Sequence, residues 1–171
     1  MGSAFFYDLA NEPFIFEKAQ EEMLPNYVAV IRLNQKLLPL LTRQQEAAIV
    51  NVSSMSSISG SLATYSASKA ALHSYTQSLR LTLENTTLIK VFELMHPLVN
   101  TEYSEAIGGR NGIAPSKVAE DLLKALETEE YEIHVGYTEQ LYKLFLSSPE
   151  VALRSLNAGR KELHAGNKQL I

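Results

Sequence analysis

Tyr65 and Lys69 stand four residues apart in the run Tyr65-Ser66-Ala67-Ser68-Lys69. On a helix, positions i and i+4 share one face a turn apart, so a phenol and an ammonium spaced this way can share one pocket. An unperturbed tyrosine titrates near ~10, and an opposite charge a few ångströms away lowers that by about 1 to 3 units. Such a phenol can accept a proton from an alcohol or give one to a developing alkoxide near neutral pH, which is general acid-base work. Just upstream, Ile49-Val50-Asn51-Val52-Ser53-Ser54 reads as a buried strand tipped by two hydroxyls. A hydroxyl of Ser53 or Ser54 at the carboxyl end of that strand is placed to hold a substrate oxygen.

The spacing of Tyr65 and Lys69 carries little by itself, because most such pairs are solvated helix faces; the elements around it give it weight. Residues 16–41 show apolar residues at helical spacing, with Met23, Tyr27, Val30 or Ile31, Leu37 and Leu41 on one side. Pro25 interrupts this run and is expected to kink or restart the helix next to Asn26. Residues 47–53 are short, apolar and rich in β-branched side chains, as in a strand buried on both faces. A long helix over 65–84 carries the stripe Leu72, Tyr75, Leu79 and Leu83, and a second strand over 88–94 ends at Met95-His96-Pro97. Ser116 is the expected N-cap of a helix running to about 128, residues 131–136 alternate like a third strand, and 139–157 read as amphipathic helix broken at Pro149. The alternation of strand and helix implies an α/β fold with a parallel sheet and right-handed crossovers.

The order of apolar strand, double serine, small-residue loop and Tyr-Ser-Ala-Ser-Lys-Ala-Ala-Leu helix start resembles the short-chain dehydrogenases/reductases. The resemblance covers nearly the whole chain. Residues 49–54 look like that family's fifth strand with its serine, and Tyr65 and Lys69 like its catalytic pair. Asn26, in Pro25-Asn26-Tyr27, looks like the asparagine of its tetrad. Pro97-Leu98-Val99-Asn100-Thr101 looks like the segment after the sixth strand, where the family lodges the nicotinamide amide. The resemblance implies a catalytic set of Tyr65, Lys69, Ser54 and Asn26, with Ser53 as the alternative serine, because the loop to Tyr65 is shorter than the family's usual spacing. It implies cofactor contacts from Tyr65, Lys69, Pro97, Val99 and Thr101, and hydride transfer between NAD or NADP and a small carbonyl or alcohol substrate. In that chemistry Tyr65 is the acid/base, Lys69 lowers its pKa and holds the nicotinamide ribose, Ser54 polarises the carbonyl and Asn26 anchors a proton-relay water.

The family opens with a strand, a glycine-rich turn and a helix that cradle the dinucleotide pyrophosphate. No such motif occurs in this sequence; Gly108-Gly109-Arg110-Asn111-Gly112 follows the sixth-strand region in a polar stretch and reads as a loop. The expectation is a single partial domain over 1–171: a truncated Rossmann-type parallel sheet of about three strands with flanking helices, lacking the cofactor-binding half, with 139–171 as a helical extension. Residues 49–52 would then form an unpaired apolar edge, which invites another chain. The two long helices that build the family's dimer bundle survive at 26–42 and 65–84, so a homo-oligomer through them is implied. The alternative is a non-catalytic remnant or interaction module that keeps these residues by descent and binds no cofactor.

Composition narrows the remaining classes. The chain has 171 residues, 46% of them hydrophobic, enough for one core. It has no cysteine, which excludes a disulfide frame, a thiolate zinc site and a cysteine nucleophile. His73, His96, His134 and His164 lack metal-ligand spacing, so no metal is expected. A net charge of −4 without a basic run argues against nucleic acid or an anionic membrane as partner. Asp8, Glu12 and Glu17 argue against a signal peptide, and no apolar run reaches membrane-spanning length, so the expected location is cytoplasmic.

Overall fold

The computed structural model describes residues 2–158. Three strands, β1 (Ala47–Val52), β2 (Ile89–Met95) and β3 (Glu132–His134), form one parallel sheet in the order β1-β2-β3. Ala47 is in register with Ile89 and Val52 with Leu94, and Glu93 to Met95 continue against Glu132 to His134. Parallel neighbours need a crossover, and helices supply it. Before the sheet come α1 (Ile15–Met23) and α2 (Ala29–Leu41). Then α3 (Ala63–Glu84) links β1 to β2 and α4 (Pro115–Thr128) links β2 to β3, while α5 (Thr138–Ser147) and α6 (Pro149–Leu156) follow. This is the α/β, Rossmann-type parallel sheet expected from the sequence.

Because successive strand residues point to opposite faces, the sheet has two cores. On one face Ile49, Ile89 and Val91 pack against Leu83 and Leu79 of α3 and Leu38 and Leu41 of α2. On the other, Phe92, Leu94 and Ile133 pack against Ala125, Leu122 and Leu126 of α4. Each core closes on a fully covered side chain of β2, with Val91 and Phe92 both 1% exposed. The sheet is thereby fixed between helices, and the carboxyl ends of β1 and β2 come to one place.

Between α1 and α2 the helix widens into a single π turn, Leu24–Val28. Pro25 has no N–H to give to the preceding turn, and a locally widened ladder accommodates it without ending the helix. The turn aims Asn26 inward, where it is buried. Leu37, by contrast, is exposed rather than on the packed side, and Leu38 takes the core position.

Two boundaries differ from the sequence expectation. Helix α4 begins at Pro115 with Ala114 as N-cap, not at Ser116, because proline's fixed φ and missing N–H suit a first helical position. Strand β3 is shorter than 131–136: Gly136, with φ +59°, turns the chain towards α5, although the Val135 amide still donates to the Met95 carbonyl at 2.9 Å. The polar end of the expected C-terminal extension, 159–171, lies outside the described residues.

Candidate active site

The carboxyl ends of β1 and β2 and the first turns of α3 open onto a cavity of about 760 Å³. Ser54 and Tyr65 both line it. Immediately after β1, the Ser54 side chain accepts from the Ser56 amide at 3.2 Å, which caps the short 3-10 turn Met55–Ser57. Helix α3 starts without an N-cap side chain; Ser66 instead reaches back, its Oγ accepting from the Ser61 and Leu62 amides at 3.0 and 3.1 Å. That closed first turn fixes Tyr65 at the mouth of the helix.

Tyr65 and Ser54 face the same cavity, and the Ser54 hydroxyl acts on the Tyr65 phenol. Burial pushes the Tyr65 phenol above its ordinary value, the contact with Ser54 favours the phenolate and opposes the rise, and the negative potential of Tyr103 and Glu22 adds to it. The expected lowering by Lys69 is therefore not what the structure shows. The Lys69 ammonium lies 5.8 Å from the Tyr65 ring centroid and donates at 2.9 Å to the Val52 carbonyl at the end of β1. It sits behind the cavity and does not form its wall. Burial alone lowers the Lys69 pKa to about 8, since an ammonium with few polar partners is destabilised relative to the amine.

Ser53 and Ser54 separate by strand alternation. Ser53 is fully buried on the α3 side, where its Oγ donates to Glu93 Oε1 at 2.5 Å, and His73 Nδ1 lies 2.9 Å from Glu93 Oε2. Ser54 is the serine that faces the cavity with Tyr65.

Asn26 is tied on three sides. Its Oδ1 accepts from the Ser3 amide at 2.8 Å, and its Nδ2 donates to the Ser3 carbonyl at 2.7 Å and to Ser68 Oγ at 2.9 Å. It thus joins the π turn to α3 and to the extended segment at residues 2–7. Glu22, fully buried one turn earlier, accepts from the Phe5 amide at 2.7 Å and from the Thr64 hydroxyl, which also meets Tyr7. These contacts bring Ala4 and Phe6 to the cavity wall.

Pro97, Val99 and Thr101 line the same cavity. Their segment is held by bonds from the Ile113 amide to the Leu98 carbonyl at 2.9 Å and from the Asn100 amide to the Ile113 carbonyl at 2.8 Å. A Cβ on Gly112 would fall 2.7 Å from the Leu98 carbonyl oxygen, and one on Gly109 would meet Ser104 at 2.1 Å, so those glycines serve close backbone approach. The residues 102–114 accordingly form 3-10 turns, Glu102–Ile107 and Gly109–Asn111, begun by a capping box between Thr101 and Ser104.

Sequence reasoning missed other lining residues, among them Met55, Tyr137 and Leu156. Tyr137 precedes α5 as its N-cap and Leu156 ends α6, and no local pattern links them to Tyr65. It also missed the buried Glu93, whose only signal was a carboxylate inside the apolar run of β2. Among the described residues no group of three His, Asp or Glu side chains is placed to hold a metal, and no helix is long and apolar enough to cross a membrane. His164 lies outside the described residues.

A sequence model of the short chain dehydrogenase family matches residues 11–111, and the chain belongs to that family. A curated relative, the uncharacterized oxidoreductase DltE of Bacillus subtilis (strain 168), is 30% identical over 125 residues, covering 68% of this chain and 46% of the relative. The solved structure of a short chain dehydrogenase from Burkholderia cenocepacia J2315 in complex with NADP is 27% identical with a TM-score of 0.73, covering 85% of this chain and 61% of that one. A short chain dehydrogenase/reductase from Burkholderia phymatum in complex with NAD shares the fold at 21% identity and a TM-score of 0.60, covering 70% of this chain and 55% of that one. The chain thus spans about half the length of the curated relative it matches.

A nicotinamide dinucleotide fits the described residues at one end. Pro97 and Val99 give an apolar wall beside the Ser54 and Tyr65 hydroxyls, which suits a flat nicotinamide ring. At the pyrophosphate end there is no match: among the described residues no cation lines the cavity, and Gly108, Gly109 and Gly112 are used in the packed 3-10 segment rather than in a phosphate turn opening a helix.

Proposed function

We propose that this chain carries the carbonyl- and alcohol-handling end of a nicotinamide-dependent oxidoreductase site. Tyr65 is its proton donor and acceptor, and Ser54 is the partner of the substrate oxygen. Lys69 is the cation behind the phenol; to hold the nicotinamide ribose, as the family resemblance implies, its ammonium has to leave the Val52 carbonyl and turn toward the cavity. Asn26 positions Ser68 and the segment before α1, and anchors the water of a proton relay. The observation that carries this reading is the Ser54–Tyr65 hydroxyl pair facing a cavity of about 760 Å³. Burial keeps the phenol protonated at neutral pH, which suits giving a proton to a carbonyl oxygen as it gains charge. Ser54 offers a second hydrogen bond to that same oxygen. NAD or NADP, when bound with its nicotinamide beside Pro97, Val99 and Thr101, supplies or accepts the hydride.

A second reading is supported by the missing match at the pyrophosphate end: a folded module that keeps these residues but binds no dinucleotide. Fluorescence titration of the purified chain with NADPH and NADH separates the two. The oxidoreductase reading expects saturable binding and reduction of a ketone that Tyr65→Phe abolishes without unfolding the chain. No binding of either cofactor, together with no effect of Tyr65→Phe on any turnover, would leave the second reading standing.

We also propose that two copies associate through α2 and α3. Leu33, Leu37 and Leu40 run along one exposed side of α2, and Leu81 is exposed on α3.

A further inference from the structure

We propose that the substrate of this site is a neutral ketone or secondary alcohol with a bulky apolar body, and that keto acids, phosphorylated carbonyl compounds and sugars are rejected. The inference rests on reading Ser54 and Tyr65 as the carbonyl-binding pair. Its basis is the chemistry of the wall. Among the described residues, no Asp, Glu, Lys or Arg lines the cavity. The large side chains of the wall, among them Met55, Leu62, Tyr103, Tyr137 and Leu156, are apolar or aromatic.

The serine and asparagine side chains on that wall are already engaged, and the phenol of Tyr137 stands half exposed. Ser56 and Ser61 hydrogen-bond each other at 2.9 Å, Ser104 Oγ donates to the Val99 carbonyl at 2.5 Å, and Asn157 Nδ2 donates to the Gly60 and Leu153 carbonyls at 2.8 Å. His96 adds no positive charge at neutral pH: burial holds its pKa below the ordinary histidine value, and its Nδ1 is 2.7 Å from the Pro97 carbonyl. Lys69 is directed at the Val52 carbonyl rather than into the cavity. A carboxylate or phosphate entering this space would lose its water and meet no counter-ion. Most extra hydroxyls of a sugar would likewise find no free partner, at about tenfold or more in affinity per buried unpaired group. One oxygen is provided for, and it is the one facing Ser54 and Tyr65.

The test compares 4-phenylbutan-2-one, 4-phenyl-2-oxobutanoate and xylulose as ligands of the full chain by saturation-transfer NMR, with and without NADPH. The phenyl ketone is expected to bind about tenfold or more tightly than the keto acid, and xylulose not to compete with it. Equal or tighter binding of the keto acid, competition by xylulose, or no binding of the ketone under either condition overturns the proposal. Tyr137 is a suitable control position, since it lines the cavity yet is 48% exposed and so tolerates a cation. In Tyr137→Lys the gap between keto acid and ketone should close, and an unchanged ratio would count against this wall as the selecting surface. These readouts need no turnover. Ketone-selective binding without NADPH-dependent reduction would sink the oxidoreductase reading alone, whereas preferential reduction of the keto acid would sink the substrate class alone.

Discussion

The Ser53 hydroxyl donates to Glu93 Oε1 at 2.5 Å inside the sheet–helix core, while its neighbour Ser54 faces the cavity and meets Tyr65. Adjacent serines thus hold different duties by strand alternation. Removing the Ser53 hydroxyl leaves a buried carboxylate oxygen without its partner, at about 1–3 kcal/mol. Ser53→Ala should therefore lower stability by that amount in urea denaturation and keep ketone reduction. Ser54→Ala should lose about 10²- to 10³-fold in kcat, with a stability loss no larger than that of one turn cap, about 0.5–2 kcal/mol. Equal kcat losses in both variants would contradict the division.

Lys69 makes a second prediction through its depressed pKa. Its folded-state value is about 8 against an ordinary 10.5, so between those values the unfolded chain binds more protons than the folded one. Stability should then rise with pH across that window, by on the order of 3 kcal/mol at most. Tyr65 acts in the other direction only at higher pH, because its pKa is raised and the folded chain retains its proton longer. The gap in denaturation midpoint between the native sequence and Lys69→Met should shift in favour of the native sequence from pH 7 to 9.5, since His73 titrates in both. A gap that stays constant over that range would assign the titration elsewhere.

The strand and helix order is legible in the sequence because apolar runs at 47–53 and 88–94 leave little alternative to buried parallel strands. The inward side of α1 and α2 is not, because Glu22, Asn26 and Asn34 occupy it. Apolar periodicity selects Leu37 for that side, and Leu37 is 44% exposed. Those polar residues are satisfied by partners far along the chain: Asn26 by Ser68, Asn34 by the Tyr75 hydroxyl, Glu22 by Thr64. At the site, the spacing of Tyr65 and Lys69 fixes a common helix face but not the direction of a flexible four-carbon chain. Lys69 ends on the Val52 carbonyl, and the acidity of the phenol follows from burial instead.

His73 should make stability fall with rising pH just above neutrality. Its hydrogen bond to Glu93 raises its pKa above 6.5, outweighing burial and the nearby Arg80; Glu132 adds to the rise. The group's contribution is fully present below about 6.5 and is lost as pH rises through the folded-state value. In His73→Gln, the decline in unfolding free energy over that interval should disappear, measured by urea titrations at closely spaced pH. A decline that persists unchanged would show that the Glu93 carboxylate does not hold an imidazolium.

The exposed stripe on α2 supplies the last prediction. Leu33, Leu37 and Leu40 are 58%, 44% and 57% exposed on a helix whose other side packs on the sheet through Leu38 and Leu41. Residues three and four apart on a helix form a continuous ridge, and an apolar ridge in water is stabilised by a matching ridge on a second copy. Leu37 touches neither core, so replacing it with lysine places a like charge on both sides of a two-fold contact without opening a cavity. Sedimentation velocity should show a dimer for the native chain and a monomer for Leu37→Lys, with the denaturation midpoint of the dilute protein unchanged. A native chain that sediments as a monomer at high concentration, or a Leu37→Lys variant that stays dimeric, would remove α2 from the interface.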